Sequence, residues 1–233
     1  MDAHAPIAQL DRAPDFGSGG WGFEPLSVYY FIGGSLFSGI VQGLFRVTSV
    51  TSSPSILSFT LSFTPEFSQG LRIGASVAVD GVCLTVVSIH EDEVVFDVIS
   101  ETLNKTTLKD LCVGQEVGCE RSIKVGDEIG GHFVSGHVWG TVTIGKIVQN
   151  EVTLSCPADW MKYILRKGFV ALDGASLTVV DVSPEGYFTV HLIPETLRMT
   201  SLGKKKVGDA VNLEIDSQTQ VIVDTLLETS NRV

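Results

Sequence analysis

Asp173-Gly174-Ala175-Ser176-Leu177-Thr178-Val179-Val180 decides the fold, because the chain contains this stretch twice. The earlier copy is Asp80-Gly81-Val82-Cys83-Leu84-Thr85-Val86-Val87. Each reads as a tight Asp-Gly turn feeding a β-branched strand, and alternation puts Cys83 with Thr85, or Ser176 with Thr178, on one face. The duplication reaches outward in both directions. Ser100-Glu101-Thr102-Leu103 returns as Pro194-Glu195-Thr196-Leu197, and the Val113-Gly114 turn returns as Val207-Gly208. Upstream, Ser38-Gly39-Ile40-Val41-Gln42-Gly43 matches Ser135-Gly136-His137-Val138-Trp139-Gly140. The offsets are 97 (135 minus 38), 93 (173 minus 80) and 94 (195 minus 101), so the register drifts only by loop-sized steps. The chain is a tandem repeat of a β unit of roughly ninety residues, a feature that takes priority in deciding a fold.

The totals agree with two small globular domains. The 233 residues are 44% hydrophobic and 18% charged, enough to give each half a core. A formal net charge of -11 repels phosphate backbones, and the short run Lys204-Lys205-Lys206 reads as a solvated turn, so no nucleic acid partner is expected. Cys83, Cys112, Cys119 and Cys156 form no C-x-x-C pair, which counts against a structural zinc or thioredoxin-type site. With no secretory signal, a cytoplasmic protein with reduced thiols is expected, and Asn104-Lys105-Thr106 is a sequon without use. Leu26 to Phe45 carries no charge, but Gly33, Gly34, Gly39 and Gly43, the want of a Lys or Arg close upstream and the membership of Ser38 onward in the first repeat oppose a membrane span. Gly17 to Gly22 satisfies G-x-G-x-x-G formally, yet no strand precedes it and no helix follows.

The alternation of Leu57 to Phe63 marks a half-buried strand, and short strands are expected at 76–79, 84–89, 94–99 and 117–120. The second half repeats them at 141–148, 152–155, 169–172, 177–182, 188–192 and 211–215, with a helical turn or two at 160–165. Six or so short strands per half argue for small closed barrels, since closure removes exposed edges. Residues 217–228 read as a capped terminal helix whose apolar Val221, Ile222, Val223, Leu226 and Leu227 need a partner surface.

Taken in order, Phe37-Ser38-Gly39-Ile40-Val41, Gly81 to Val86, Asp127-Glu128-Ile129-Gly130-Gly131-His132-Phe133-Val134-Ser135-Gly136-His137, Met161-Lys162-Tyr163-Ile164, Asp173 to Thr178, His191 to Leu197 and Gln218-Thr219-Gln220 resemble the riboflavin synthase (alpha chain) family. The resemblance covers residues 37 to about 228. It implies an all-β fold, a tandem duplication of two six-stranded Greek-key β-barrels followed by a C-terminal α-helix, associating as a homotrimer through that helix. It also implies dismutation of two molecules of 6,7-dimethyl-8-ribityllumazine to riboflavin and 5-amino-6-(ribitylamino)pyrimidinedione, with no cofactor and no metal, and lumazine synthase as a candidate partner. Independently of the name, two identical substrates that react together need two similar pockets, which a repeat supplies. The expected organisation is an unmatched, disordered extension at 1–35, an N-terminal barrel at 36–131, a C-terminal barrel at 132–216, and a helix and tail at 217–233. Chains of the family begin with Met at the place of Leu36, so residues 1–35 read as a start site set too far upstream.

The chemistry needs a proton removed from a ring methyl and a nucleophile added to the partner ring. His137 is the acid/base candidate, since imidazole titrates near neutrality and its repeat equivalent is Ile40. A loop histidine is more often structural; the motif is what singles it out. Ser176 and Cys83 hold equivalent places, with Thr178 and Thr85 two residues on, and complete the catalytic candidates. Cys83 could equally be a small buried core residue. The expectation is that Ser176 pairs with His137 in the C-terminal barrel and Cys83 with Ile40 in the N-terminal one. By resemblance, substrate contacts come from Gly39, Ile40 and Val41; from Cys83, Leu84 and Thr85; from Asp97, Val98, Ile99, Ser100, Glu101 and Thr102; and from Gly136, His137 and Val138. Lys167, then Ser176, Leu177 and Thr178, then Leu192, Ile193, Pro194, Glu195, Thr196 and Leu197, complete the set. Glu101 and Glu195 would accept hydrogen bonds from ribityl hydroxyls, or simply cap a turn. The rival reading is a non-catalytic lumazine or flavin carrier of the same duplicated build, and a more distant one is an OB-fold binding module.

Overall fold

In a computed structural model that describes residues 36–230, every second side chain of most strands turns inward, as the sequence pattern requires. The first half supplies β1 (Gly43–Ser52), β2 (Ile56–Ser62), β3 (Ser76–Val79), β4 (Val82–His90), β5 (Glu93–Ile99) and β6 (Glu116–Arg121). The second supplies β7 (Gly140–Val148), β8 (Glu151–Ser155), β9 (Phe169–Leu172), β10 (Ala175–Ser183), β11 (Tyr187–His191) and β12 (Ala210–Ile215). All pairings are antiparallel, and each set closes on itself: β1-β2-β5-β4-β3-β6, and in the same order β7-β8-β11-β10-β9-β12. Even the irregularities repeat. Register shifts at Val47/Ser49 and Val86/Ser88 recur at Ile144/Lys146 and Val179/Asp181, where an extra residue bends a strand around a barrel corner. The expected pair of six-stranded barrels is therefore present. The expectation of an extension at 1–35 lies outside the described residues.

The cores differ in filling. Phe59 and Phe96 stack inside the first barrel with centroids 5.5 Å apart, while Leu154, Leu172 and Leu213 fill the second. Short helices cap the barrels: α1 (Pro65–Ser68), α2 (Ser100–Lys105) and α3 (Pro194–Met199), with a 3-10 turn at Ala158–Tyr163. The last element, α4 (Ser217–Ser230), is capped by Asp216, which accepts from the Thr219 N–H at 2.8 Å. Tyr163 donates its hydroxyl proton to Asp224 and Val223 packs on the second core, but Val221, Ile222 and Leu226 are more than half exposed. Among the described residues no helix is long and apolar enough to cross a membrane.

The barrels meet across a pseudo-twofold axis through the duplicated turns. Asp80 and Asp173 adopt φ of 42° and 43°, and Gly81 and Gly174 lie back to back. Asp80 accepts from the Gly118 N–H at 2.7 Å, and Asp173 accepts from the Asn212 N–H at 2.8 Å. Lys205, expected in a solvated turn, instead holds its ammonium 3.5 Å from the fully buried Asp173, because a buried carboxylate draws in any cation within reach. Burial, then the neighbouring Asp173 charge, pushes the Asp80 carboxyl up to about 7. Folding therefore takes up a proton, so stability contributed by this group is full below about pH 4 and is lost as pH rises towards 7. Asp173, Glu120 and Glu214 shift upward through burial and act in the same direction. Asp80→Asn keeps an oxygen for the Gly118 N–H. It is expected to reduce the loss of stability between about pH 4 and 7 in urea titrations, by a few kcal/mol at most. An unchanged slope would place the proton uptake elsewhere.

Candidate active site

Two short straps, residues 37–41 and 134–138, build the site. They pair with each other through an antiparallel bridge between Phe37 and Val134, the former fully buried. Each contains a Ser-Gly turn gripped by a buried carboxylate of its own barrel. Glu120 on β6 accepts from the Ser38 N–H (2.6 Å), the Ser38 hydroxyl (2.7 Å) and the Gly39 N–H (3.0 Å). Glu214 on β12 accepts from the Ser135 N–H (2.6 Å), the Ser135 hydroxyl (2.8 Å) and the Gly136 N–H (2.9 Å). Burial drives both carboxyls up while these donors pull them down.

From these anchors each strap leans on the opposite barrel. The Gly39 carbonyl accepts from the Ser176 N–H of β10 at 2.8 Å, and the Gly136 carbonyl accepts from the Cys83 N–H of β4 at 2.9 Å. Only glycine fits at either place. Its φ is +73° at Gly39 and +78° at Gly136, and a Cβ would lie 2.6 Å from Ser176 Cβ or 2.5 Å from Cys83 Cβ. The next apolar residues follow the same crossing: Val41 is part of the second barrel's core, and Val138 packs on the first.

The result is two equivalent clefts on the outer barrel faces. The N-barrel cleft, about 260 Å³, is lined by Val82 and Cys83 of β4, by α2 with Thr106, and by Gly136, His137 and Val138 of the second strap. The C-barrel cleft, about 300 Å³, is lined by Gly39, Ile40 and Val41 of the first strap, by Ala175 and Ser176 of β10, and by α3 with Thr200. This corrects the expected pairing. His137 shares a cleft with Cys83, and Ile40 shares one with Ser176, because each strap is anchored at home and ends abroad. A more open groove of about 450 Å³ along Gln42, Phe45, Phe67 and Arg121 holds none of the repeat box, and Trp160 fills the matching space against Gly140.

Glu101 and Thr102 line the first cleft, and Ile193, Glu195 and Thr196 the second. Both glutamates are engaged within their own helices: Lys105 holds the Glu101 carboxyl below its usual range, and Arg198 does the same for Glu195. Thr85 and Thr178 are exposed on the same outer faces as Cys83 and Ser176 but outside the cleft linings. Asp97, Ile99, Ser100, Pro194 and Leu197 are likewise exposed beyond them, with Asp97 accepting from the Ser58 hydroxyl. Leu84, Val98, Leu177 and Leu192 turn their side chains into the barrel cores, as strand alternation requires, which leaves only their backbone to face a ligand. Lys167 is exposed in a left-handed turn (φ 68°) and lines neither cleft.

Sequence reasoning passed over Lys105, Met199, Thr106 and Thr200, which line the clefts, and His132, whose Nδ1 lies 2.7 Å from Ser176 Oγ. The signal for His132 was its place in the Gly130-Gly131-His132 run of an already noted motif.

Replacing Glu214 with alanine removes the carboxylate that accepts three hydrogen bonds. It should cost on the order of 3 kcal/mol in urea unfolding. Because His137 follows Gly136, the same change should also lower turnover at least tenfold through the N-barrel cleft, although Glu214 belongs to the other barrel. Normal turnover in a destabilised variant would contradict that link.

Two closed barrels with crossed, equivalent clefts define a duplicated small-ligand-binding barrel protein. The lumazine binding domain model matches residues 38–122 and again 135–216. Riboflavin synthase of Escherichia coli (strain K12) is 47% identical over 196 residues, covering 82% of this chain and 92% of that one. Riboflavin synthase of Chlamydia pneumoniae is 47% identical over 191 residues, covering 82% and 95%. The crystal structure of LumP complexed with riboflavin superposes with a TM-score of 0.71 at 25% identity, covering 78% of this chain and 100% of that one. LumP complexed with 6,7-dimethyl-8-(1'-D-ribityl) lumazine gives 0.69 at the same identity, with 78% and 99% covered. The chain belongs to the riboflavin synthase family.

Proposed function

We propose that this chain converts two molecules of 6,7-dimethyl-8-ribityllumazine to riboflavin and 5-amino-6-(ribitylamino)pyrimidinedione, the last step of riboflavin biosynthesis. The observation that carries the reading is the presence of two equivalent clefts with different polar equipment. A reaction between two copies of one molecule requires two similar sites, and a division of labour between donor and acceptor of the four-carbon unit requires that they differ. His137 stands in the N-barrel cleft, where an imidazole can take a proton from a ring methyl; Ser176 stands in the C-barrel cleft, where a hydroxyl can engage the partner ring. Volumes of about 260 and 300 Å³ are of the order needed for a bicyclic ring with its chain left in the open mouth.

Both clefts open on outer barrel faces, so the reacting pair is assembled across a boundary between chains, in a cytoplasmic homotrimer held by the exposed apolar residues of α4. A mass measurement in solution tests this, three chains being expected and a monomer at working concentration contradicting it. Lumazine synthase, which makes the substrate, is a natural partner. The carrier reading is weaker: identity to the synthases is nearly twice that to LumP, and Cys83, His137, Ser176 and Thr178 are all present. Incubating the protein with the lumazine alone and following riboflavin absorbance separates the two. Riboflavin should accumulate at one molecule per two lumazines consumed; tight binding without product would make the chain a carrier.

A further inference from the structure

Ser176 is held on three sides. The Gly39 backbone abuts its Cβ, a side chain at Gly131 would meet Ser176 Oγ at 3.0 Å, and His132 Nδ1 lies 2.7 Å from the same oxygen. The imidazole is 8% exposed and stacks on Phe169 of β9 at 5.4 Å and 17°. Its other nitrogen, Nε2, is buried and makes no hydrogen bond, alone in this among the side chains of the described residues.

That asymmetry fixes the tautomer. A proton on Nε2 would be a buried N–H without an acceptor, whereas a proton on Nδ1 leaves only a bare lone pair there, the smaller penalty. A charged ring would carry both problems, and burial accordingly holds His132 below the usual histidine range, against the opposing pull of Asp216. The neutral ring therefore donates Nδ1–H to Ser176 Oγ. The serine, having accepted on one lone pair, must aim its own proton elsewhere, and its remaining open side is the C-barrel cleft.

We propose that His132 is a positioning residue that commits the Ser176 hydroxyl to donate a hydrogen bond to an acceptor atom, a carbonyl oxygen or ring nitrogen, of the heterocycle in the C-barrel cleft. This deepens the functional reading above and rests on it for the identity of that heterocycle. It also changes the role of Ser176: with the imidazole donating, the pair does not generate an alkoxide, so Ser176 polarises the bound ring and is not itself the nucleophile. In sequence the other repeat carries different residues at these two places. Cys83 replaces the hydroxyl with a weak donor, and the repeat offset puts Ser35 opposite His132 (132 minus 97).

The test compares wild type, His132→Phe, His132→Asn, Ser176→Ala and the double variant His132→Phe/Ser176→Ala, each checked for native urea unfolding. Phenylalanine keeps the stack on Phe169 and loses the donor; asparagine can place an N–H where Nδ1 was. Turnover of the lumazine should fall by about tenfold or more in His132→Phe and in Ser176→Ala, the double variant should be no slower than Ser176→Ala, and His132→Asn should recover most of the loss. Additive losses in the double variant, normal turnover in His132→Phe, or an asparagine variant as slow as the phenylalanine one would each overturn the proposal. If wild type forms no riboflavin, the functional reading fails separately, and fluorescence titration with riboflavin applies the same comparison to binding. There the expected and contradicting patterns are unchanged.

Discussion

Alanine at Gly81 is expected to lower the unfolding temperature by roughly 10 °C. Two costs combine. The residue has φ +80°, where a Cβ brings strain of about 1–2 kcal/mol. The added methyl would also lie 2.5 Å from Gly174 N and 3.0 Å from Gly174 Cα, both backbone atoms that can yield only if the barrels part. Such overpacking adds about 1–3 kcal/mol. Gly114→Ala isolates the first cost, because φ is +89° there and nothing lies within 4 Å of the added carbon. Thermal or urea unfolding of the two variants should differ by the clash alone. Equal destabilisation would mean that the contact between the duplicated turns does not hold the halves together.

His137→Ala is expected to reduce riboflavin formation by about 10²–10⁴-fold, the range for loss of a general acid or base. The crossing of the straps adds a sharper expectation. His137 belongs to the C-terminal repeat in sequence, but its loss should be felt by ligand in the N-barrel cleft, beside Cys83, and ligand bound against Ser176 and Ile40 should be undisturbed. Steady-state turnover gives the first result; ligand-perturbed signals from the two clefts give the second. A variant with full turnover, or one that loses the C-barrel ligand instead, would contradict the assignment.

The duplication and the barrels were legible because the buried faces repeat with period two: Leu57, Phe59 and Leu61 point inward and their strand neighbours outward, with no tertiary knowledge required. β1 was not delimited. The register shift at Val47/Ser49 breaks its alternation, and the uncharged run before it hides its start. α2 and α3 went unread as helices because six residues are too few for a 3.6-residue period to show. The cleft residues Cys83, Ser176, Glu101 and Glu195 were legible through the repeat, since equivalent positions in two copies mark a shared purpose.

Which strap serves which barrel was not legible. The offset pairs Ile40 with His137, but the hydrogen bonds that send each strap across, from Ser176 N–H to Gly39 O and from Cys83 N–H to Gly136 O, join residues more than fifty positions apart and leave no local pattern. His132 was missed for a similar reason. Its partner Ser176 is 44 residues away, and nothing in Gly-Gly-His announces a stacked, buried ring.

Counting bound ligands in tryptophan-blocked variants tests the crossed twin clefts most directly. With riboflavin as the titrant and isothermal calorimetry or fluorescence as the readout, wild type should bind two per chain, and Cys83→Trp or His137→Trp should each bind one. The decisive pair is Cys83→Trp/His137→Trp, which should still bind one because both blocks fall in the N-barrel cleft, and Cys83→Trp/Ile40→Trp, which should bind none because the blocks fall in different clefts. If the first double variant binds none and the second binds one, each strap serves its own barrel and the account is wrong.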